Sequence, residues 1–218
     1  GNSYPELAID YYFQRDWNFL ALTEHNVVAD AGDRWINAET RGGLALLAEY
    51  EARFPNWVEK RINNGVTEAR LKTHDEYKTL FETPGEFLLV RGEEITTTFS
   101  SFGQSPLHVN AFNVDTVIPP ITTGTSAVEV LQANISAVQA RSTETGLPMI
   151  ASINHPNFGD ANGGVTVEDM IPLDGGGFFE VYNGHQAVKN EGDATFTRKV
   201  STERIWDIML AFRLTRLG

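Results

Sequence analysis

The sequence contains no cysteine. Disulfides, thiolate nucleophiles and thiolate metal ligands are therefore excluded, and the compartment stays open. It has no apolar run as long as a membrane span and no signal peptide, so no membrane partner is expected and any leader would lie outside these residues. Basic residues are scarce relative to acidic ones, 17 against 29, for a formal net charge of −12. Nucleic acid is not an expected partner, because a phosphodiester backbone is met by clustered Lys and Arg. A small phosphorylated substrate stays open if a metal supplies the positive charge. There is no Gly-x-Ser-x-Gly elbow and no Walker loop, and Gly175-Gly176-Gly177 is a turn with no helix after it.

What is present reads as one α/β domain over 1–218, with no linker and no internal repeat. The organising stretch is 148–159. Met149, Ile150, Ala151 and Ile153 have the texture of a buried strand that stops at Asn154-His155-Pro156. Pro156 cannot donate to a ladder and restricts its predecessor, which puts His155 at the strand's C-terminal end. The pattern recurs at Phe19–Thr23, followed by Glu24-His25-Asn26, and at Phe87–Val90, followed by Gly92-Glu93-Glu94. His108 opens an alternating strand, and Phe178–Tyr182 ends at Asn183.

Helices are expected over Tyr4–Asp16, Glu39–Phe54, Ser126–Glu144 and Ser201–Leu214, with capping boxes at Ser3, Thr73, Ser126 and Thr166. Residues 27–86 read as a helical insertion near a barrel rim, with a short helix and loop over Pro55–Arg70. Residues 97–106 read as a polar loop carrying Phe99 and Phe102, and 159–164 as a Gly/Asn loop. His74 is taken as a solvated surface residue. The Asn134-Ile135-Ser136 sequon lies inside a helix and is read as coincidence.

Strands alternating with helices predict a parallel α/β sheet or barrel. His25, Glu94, His108 and His155 are nitrogen and oxygen ligands without sulfur, a set suited to Zn²⁺, Mn²⁺ or Fe²⁺. Such a cluster generates hydroxide near neutral pH and acts as a Lewis acid. Glu94 and His155 are the residues expected to be catalytic. Glu24, Asn26, Asn110, Asn154 and Asn183 are expected to orient the ligands from behind. Glu93 and Glu94 point to opposite faces of an extended chain, so at most one faces the site. A glycosidase pair such as Glu24 and Glu94, or Glu94 and Glu180, leaves the histidines unexplained.

Five segments in order, Leu22-Thr23-Glu24-His25-Asn26, Arg91-Gly92-Glu93-Glu94-Ile95-Thr96, His108-Val109-Asn110, Asn154-His155-Pro156 and Phe179-Glu180-Val181-Tyr182-Asn183-Gly184, resemble successive motifs of the PHP (polymerase and histidinol phosphatase) family. The resemblance implies a distorted (β/α)₇ TIM-like barrel, a site for two or three metal ions, and phosphoesterase activity. It selects Glu94 over Glu93 as a metal-bridging carboxylate, with His25, His108 and His155 as further ligands. Glu24 departs from the family's usual aspartate. The family's opening His-x-His and closing Asp-x-His motifs are absent from these residues, so the barrel is expected to be incomplete, lacking its first and last strands. The other readings are a non-catalytic PHP-like module and a metal-dependent amide or lactone hydrolase.

Overall fold

The computed structural model describes residues 3–30, 32–40, 42–100, 104–159, 164–194 and 199–217. Phe102 and positions 160–163 of the expected Gly/Asn loop lie outside them. The described chain holds α1 (Pro5–Phe13), β1 (Phe19–Leu22), β2 (Trp35–Asn37), α2 (Gly43–Arg53), β3 (Lys60–Asn63), β4 (Val66–Arg70), α3 (His74–Phe81), β5 (Leu88–Ser100), β6 (Gln104–Phe112), α4 (Ala127–Thr145), β7 (Ile150–Ile153), α5 (Val167–Met170), β8 (Phe178–Phe179) and α6 (Thr202–Leu217). No described helix is long and apolar enough to cross a membrane.

The expected barrel is not formed. One sheet has five strands in the order β1-β5-β6-β7-β8, and a second has three in the order β2-β4-β3. The larger sheet is mixed: β5–β6 and β6–β7 are antiparallel, while β1–β5 and β7–β8 are parallel. The physical reason lies between residues 96 and 104. No crossover helix separates β5 from β6, and strands joined by a short connection pair antiparallel. The supposed polar loop is mostly strand, because Thr96, Thr97, Thr98 and Phe99 suit a pleated ladder and extend β5.

The chain divides into two compact units, 1–24 with 28–91 and 25–27 with 92–218. In the first, α1, α2 and α3 pack with β1, the Leu88–Arg91 end of β5 and the three-stranded sheet. Ile9, Tyr77, Phe81, Phe87 and Leu89 form one core cluster, and Tyr4, Leu47, Tyr50 and Ala69 another. The expected Ser3 cap is not made. Tyr4 holds the N-cap position without a side-chain bond. Glu6 is fully buried instead and accepts from Trp57 Nε1 at 2.9 Å. Where a short helix was expected, β3 and β4 form a hairpin around Asn64 and Gly65, both at positive φ. His74 is also corrected: it opens α3 behind the Thr73–Glu76 capping box, yet is buried, its ring nitrogens making no hydrogen bond among the described residues, with Nδ1 3.6 Å from Asp75 Oδ1. Burial lowers its pKa, and the Arg91 and Lys78 charges add to this against Asp75.

Arg70 ties this unit together. Its Nη2 donates to Glu59 Oε1 at 2.6 Å and Glu76 Oε1 at 2.5 Å. Those bonds hold the Glu59 and Glu76 carboxyls down at about 2, with Lys72 contributing at Glu59 and burial opposing at both. A carboxyl depressed in the folded state stabilises it above the unfolded pKa, and that contribution is lost as pH falls through the folded value. The urea midpoint of tryptophan fluorescence should therefore fall between about pH 4.5 and 2, and Arg70→Gln should flatten this slope. An unchanged slope in Arg70→Gln would place the acid sensitivity elsewhere.

In the second unit, register sorts the residues onto two faces. Ile95, Leu107, Val109, Ala111 and Ile153 are buried on one face, where α4 packs on β6 and β7. Val130, Leu131, Ile135 and Val138 are the buried apolar residues α4 supplies. Ser126 caps α4 by accepting from Glu129 N, and Gly146 closes it at φ 72°. Asn134, the sequon residue, is buried and bonds to both backbone groups of Ile121, so its amide is structural. The opposite face carries Glu94, Thr96, His108 and Asn110, because Glu94 pairs with Asn110 and Thr96 with His108.

Candidate metal centre

That polar face carries the site. Glu94 stands in the middle of β5 and His108 in the middle of β6, not at strand ends as the sequence suggested. Both are buried. His25 follows β1 and makes a parallel bridge to Glu94. Asn26, at φ 51°, secures that bridge by imitating a strand partner. Its backbone N–H donates to Glu94 O at 2.9 Å, Oδ1 accepts from Thr96 N at 2.8 Å, and Nδ2 donates to Thr96 O at 3.2 Å.

Glu94 divides its two oxygens. Oε2 lies 2.6 Å from His25 Nδ1. Oε1 lies 2.9 Å from His108 Nδ1 and 3.3 Å from His155 Nε2, and it accepts from Asn154 Nδ2. His25, Glu94 and His108 offer ligand atoms within 4.8 Å of one another. His155 lies outside that three-residue group but joins it through His108, whose Nδ1 is 2.8 Å from His155 Nε2. Two imidazole nitrogens at that separation cannot both present lone pairs; a proton or a cation must lie between them. Burial raises the Glu94 pKa, but hydrogen bonds from His108 and His155 and the charges of His108 and His25 outweigh it and hold the carboxyl below its ordinary range. A carboxylate with three imidazole nitrogens converging on it is a donor set that fits Zn²⁺, Mn²⁺ or Fe²⁺. The His25 side chain is 58% exposed against 7% for Glu94, so the cluster opens to solvent on the His25 side.

The expected orienting residues divide. Asn154 is buried and serves two ligands, donating to Glu94 and accepting the His155 backbone N–H at 3.0 Å. Asn26 acts on the backbone that carries His25. Asn110 lies opposite Glu94, and its buried Oδ1 has no hydrogen-bond partner among the described residues. Asn183 bonds to Glu180, not to a ligand. Glu24 is exposed and takes no part in the described hydrogen bonds of the cluster. Glu93 points to the core face, fully buried, where its carboxylate accepts from Ile118 N at 3.2 Å.

Three contributors were not foreseen. Thr96 Oγ1 is 2.6 Å from His25 Nδ1 and donates to Glu94 O. Glu180 Oε2 accepts the His155 backbone N–H at 2.8 Å. The loop after His155 is anchored from residues 199 and 200, through Lys199 Nζ to Gly159 O at 2.7 Å and Asn157 Nδ2 to Val200 O at 2.7 Å. The only advance signal for Thr96 was parity, which puts it on the Glu94 face. Glu180 was signalled by its place just after a strand. His155 has φ 28°, a left-handed conformation directly before proline; such backbone costs roughly 1–3 kcal/mol and persists only where surroundings hold it. Compared with known proteins, the chain matches no family model, no curated protein and no solved structure.

Proposed function

We propose that this chain is a metal-dependent hydrolase, and that its substrates are phosphate esters. The observation that supports this most is the convergence of His25, Glu94, His108 and His155 on one polar sheet face, with Glu94 offering a different oxygen to each side. His25, Glu94 and His108 would hold a divalent ion, with His155 completing the set. A bound divalent ion supplies Lewis acidity toward a phosphoryl oxygen and makes water acidic enough to attack near neutral pH. The chain's own residues do the rest. Buried Glu94 stays ionised and fixes the imidazoles, Asn154 and Thr96 fix their orientation, and the exposed His25 marks the side from which substrate enters. The ordered motifs that resemble the PHP family favour phosphorus over a carbonyl centre. With a formal net charge of −12, the chain favours a small substrate over a polynucleotide.

The test is to load the protein with Zn²⁺ or Mn²⁺ and offer p-nitrophenyl phosphate, bis-p-nitrophenyl phosphate, a p-nitroanilide and a lactone. Metal-dependent, chelator-sensitive release from a phosphate ester is the expected result. Turnover of only the anilide or lactone replaces phosphoesterase with amide or lactone hydrolase. Tight metal binding without any turnover makes the chain a binding module.

A further inference from the structure

We propose that Glu180 is a positioning residue for this centre, holding His155 in its ligand-presenting conformation through the His155 backbone N–H. The proposal rests on the metal reading above and adds a residue to it. His155 is a β-carbon residue at φ 28° preceding proline, so its backbone returns toward the extended region unless something retains it. Two acceptors converge on its N–H: Asn154 Oδ1 at 3.0 Å and Glu180 Oε2 at 2.8 Å. Asn154 is a chain neighbour and moves with the turn. Glu180 comes from the segment after β8 and is registered to β7 by its own N–H donating to Ile153 O at 2.9 Å. It is therefore the outside reference that fixes the turn.

Glu180 is itself held. The same Oε2 accepts from Asn183 Nδ2 at 2.9 Å. Asn183 is clamped by the Asn190 side chain, which accepts from its backbone N at 3.0 Å and donates to its backbone O at 2.8 Å. Asn190 O in turn accepts from Thr202 N, where α6 begins, at 2.8 Å. A carboxylate directed at a backbone N–H makes a stronger, shorter bond than a neutral acceptor. The line from α6 through Asn190, Asn183 and Glu180 ends on the one ligand whose backbone is strained. Glu180 makes no described contact with the ring nitrogens of His25, His108 or His155, so it acts through His155 and is not itself a ligand.

The experiment compares wild type, Glu180→Ala and Glu180→Gln by Co²⁺ titration, read calorimetrically and by the visible absorption of the bound ion, and by exchange of the His155 amide in metal-free protein. Loss of an outer-shell partner typically weakens metal binding about 10–100-fold, and that is the expected effect of Glu180→Ala, together with faster His155 amide exchange and a changed Co²⁺ spectrum. Glu180→Gln keeps an oxygen acceptor without the charge and should recover a large part of all three. If Glu180→Ala does not fold, Glu180→Asp carries the test, since it keeps the charge and shortens the reach; wild-type affinity in that variant would overturn the proposal. Equal behaviour of the Ala and Gln variants would overturn it as well. A wild type that takes up no Co²⁺ removes the metal reading and this role with it. A wild type and Glu180→Ala that bind equally well remove the Glu180 role alone.

Discussion

Glu94→Gln should weaken Zn²⁺ binding by more than the roughly 100-fold that marks the upper end of outer-shell losses, whereas Glu93→Gln should leave affinity within about threefold, below the lower end of that range. The two residues are adjacent and alike, and only the pleat separates them. Glu94 shares the polar face with Thr96 and His108, and its two oxygens reach His25 on one side and His108 and His155 on the other. Gln keeps its size but gives up the charge, and one of the two oxygens becomes a donor facing an imidazole. Glu93 is on the core face, where both oxygens lie 3.2 Å from Ile118 N. Gln there retains an oxygen for that N–H, so the loss should appear as stability, of the order of the net value of one hydrogen bond to a charged group, about 1.5–3 kcal/mol. Calorimetric Zn²⁺ titration and urea unfolding of both variants measure the two effects separately. Equal loss of affinity in both would mean that the sheet's two faces do not divide in this way.

The same parity explains what the sequence made legible. Alternation alone allowed one of Glu93 and Glu94 to face the site, and it holds whether the strand is parallel or antiparallel. The four residues expected as ligands converge even though the barrel assumed around them does not form. The assumption failed at Thr96–Phe99. Polarity made that stretch look like a loop, but β-branched residues continue a strand, and the continuation turns two separate parallel strands into neighbours on one hairpin. Glu94 and His108 thus meet across a ladder, not at a barrel mouth. A second hairpin was signalled by Asn64-Gly65, whose residues tolerate positive φ, yet the flanking Lys60–Asn63 lacked the apolar alternation that marks a strand, because β3 is exposed along its length. The partners of the ligands were the least legible. Glu180 is 25 residues from His155, and nothing local to either announces that a side-chain oxygen will meet a backbone N–H. His74 misled for the opposite reason: a residue in the first turn behind a capping box is usually solvated, and its burial is decided by packing from distant segments.

Zn²⁺ should also raise the melting temperature. A buried carboxylate and three imidazoles converge and are held by hydrogen bonds, with His108 Nδ1 and His155 Nε2 2.8 Å apart. A divalent ion replaces them with direct bonds to groups already in place. An ion that binds only the folded state stabilises it in proportion to the logarithm of its concentration over Kd, about 4 kcal/mol at a thousandfold excess. For a chain of this size each kcal/mol moves the midpoint by about 2–4 °C, so a rise of about 8–16 °C is expected in scanning calorimetry. Because the imidazoles must be deprotonated to bind, protons compete with the ion, and the rise should shrink as pH is lowered from 8 toward 5. The pH range separates this effect from acid loosening around Arg70, which lies lower and does not depend on metal. Chelator should reverse the rise. His108→Ala removes a nitrogen from the group and should abolish the rise, while the part of the acid slope that Arg70 sets should persist. A midpoint that does not move with Zn²⁺, or that moves equally in His108→Ala, would show that the ion binds elsewhere or only weakly, and the four residues would then be a hydrogen-bonded cluster of the sheet and nothing more.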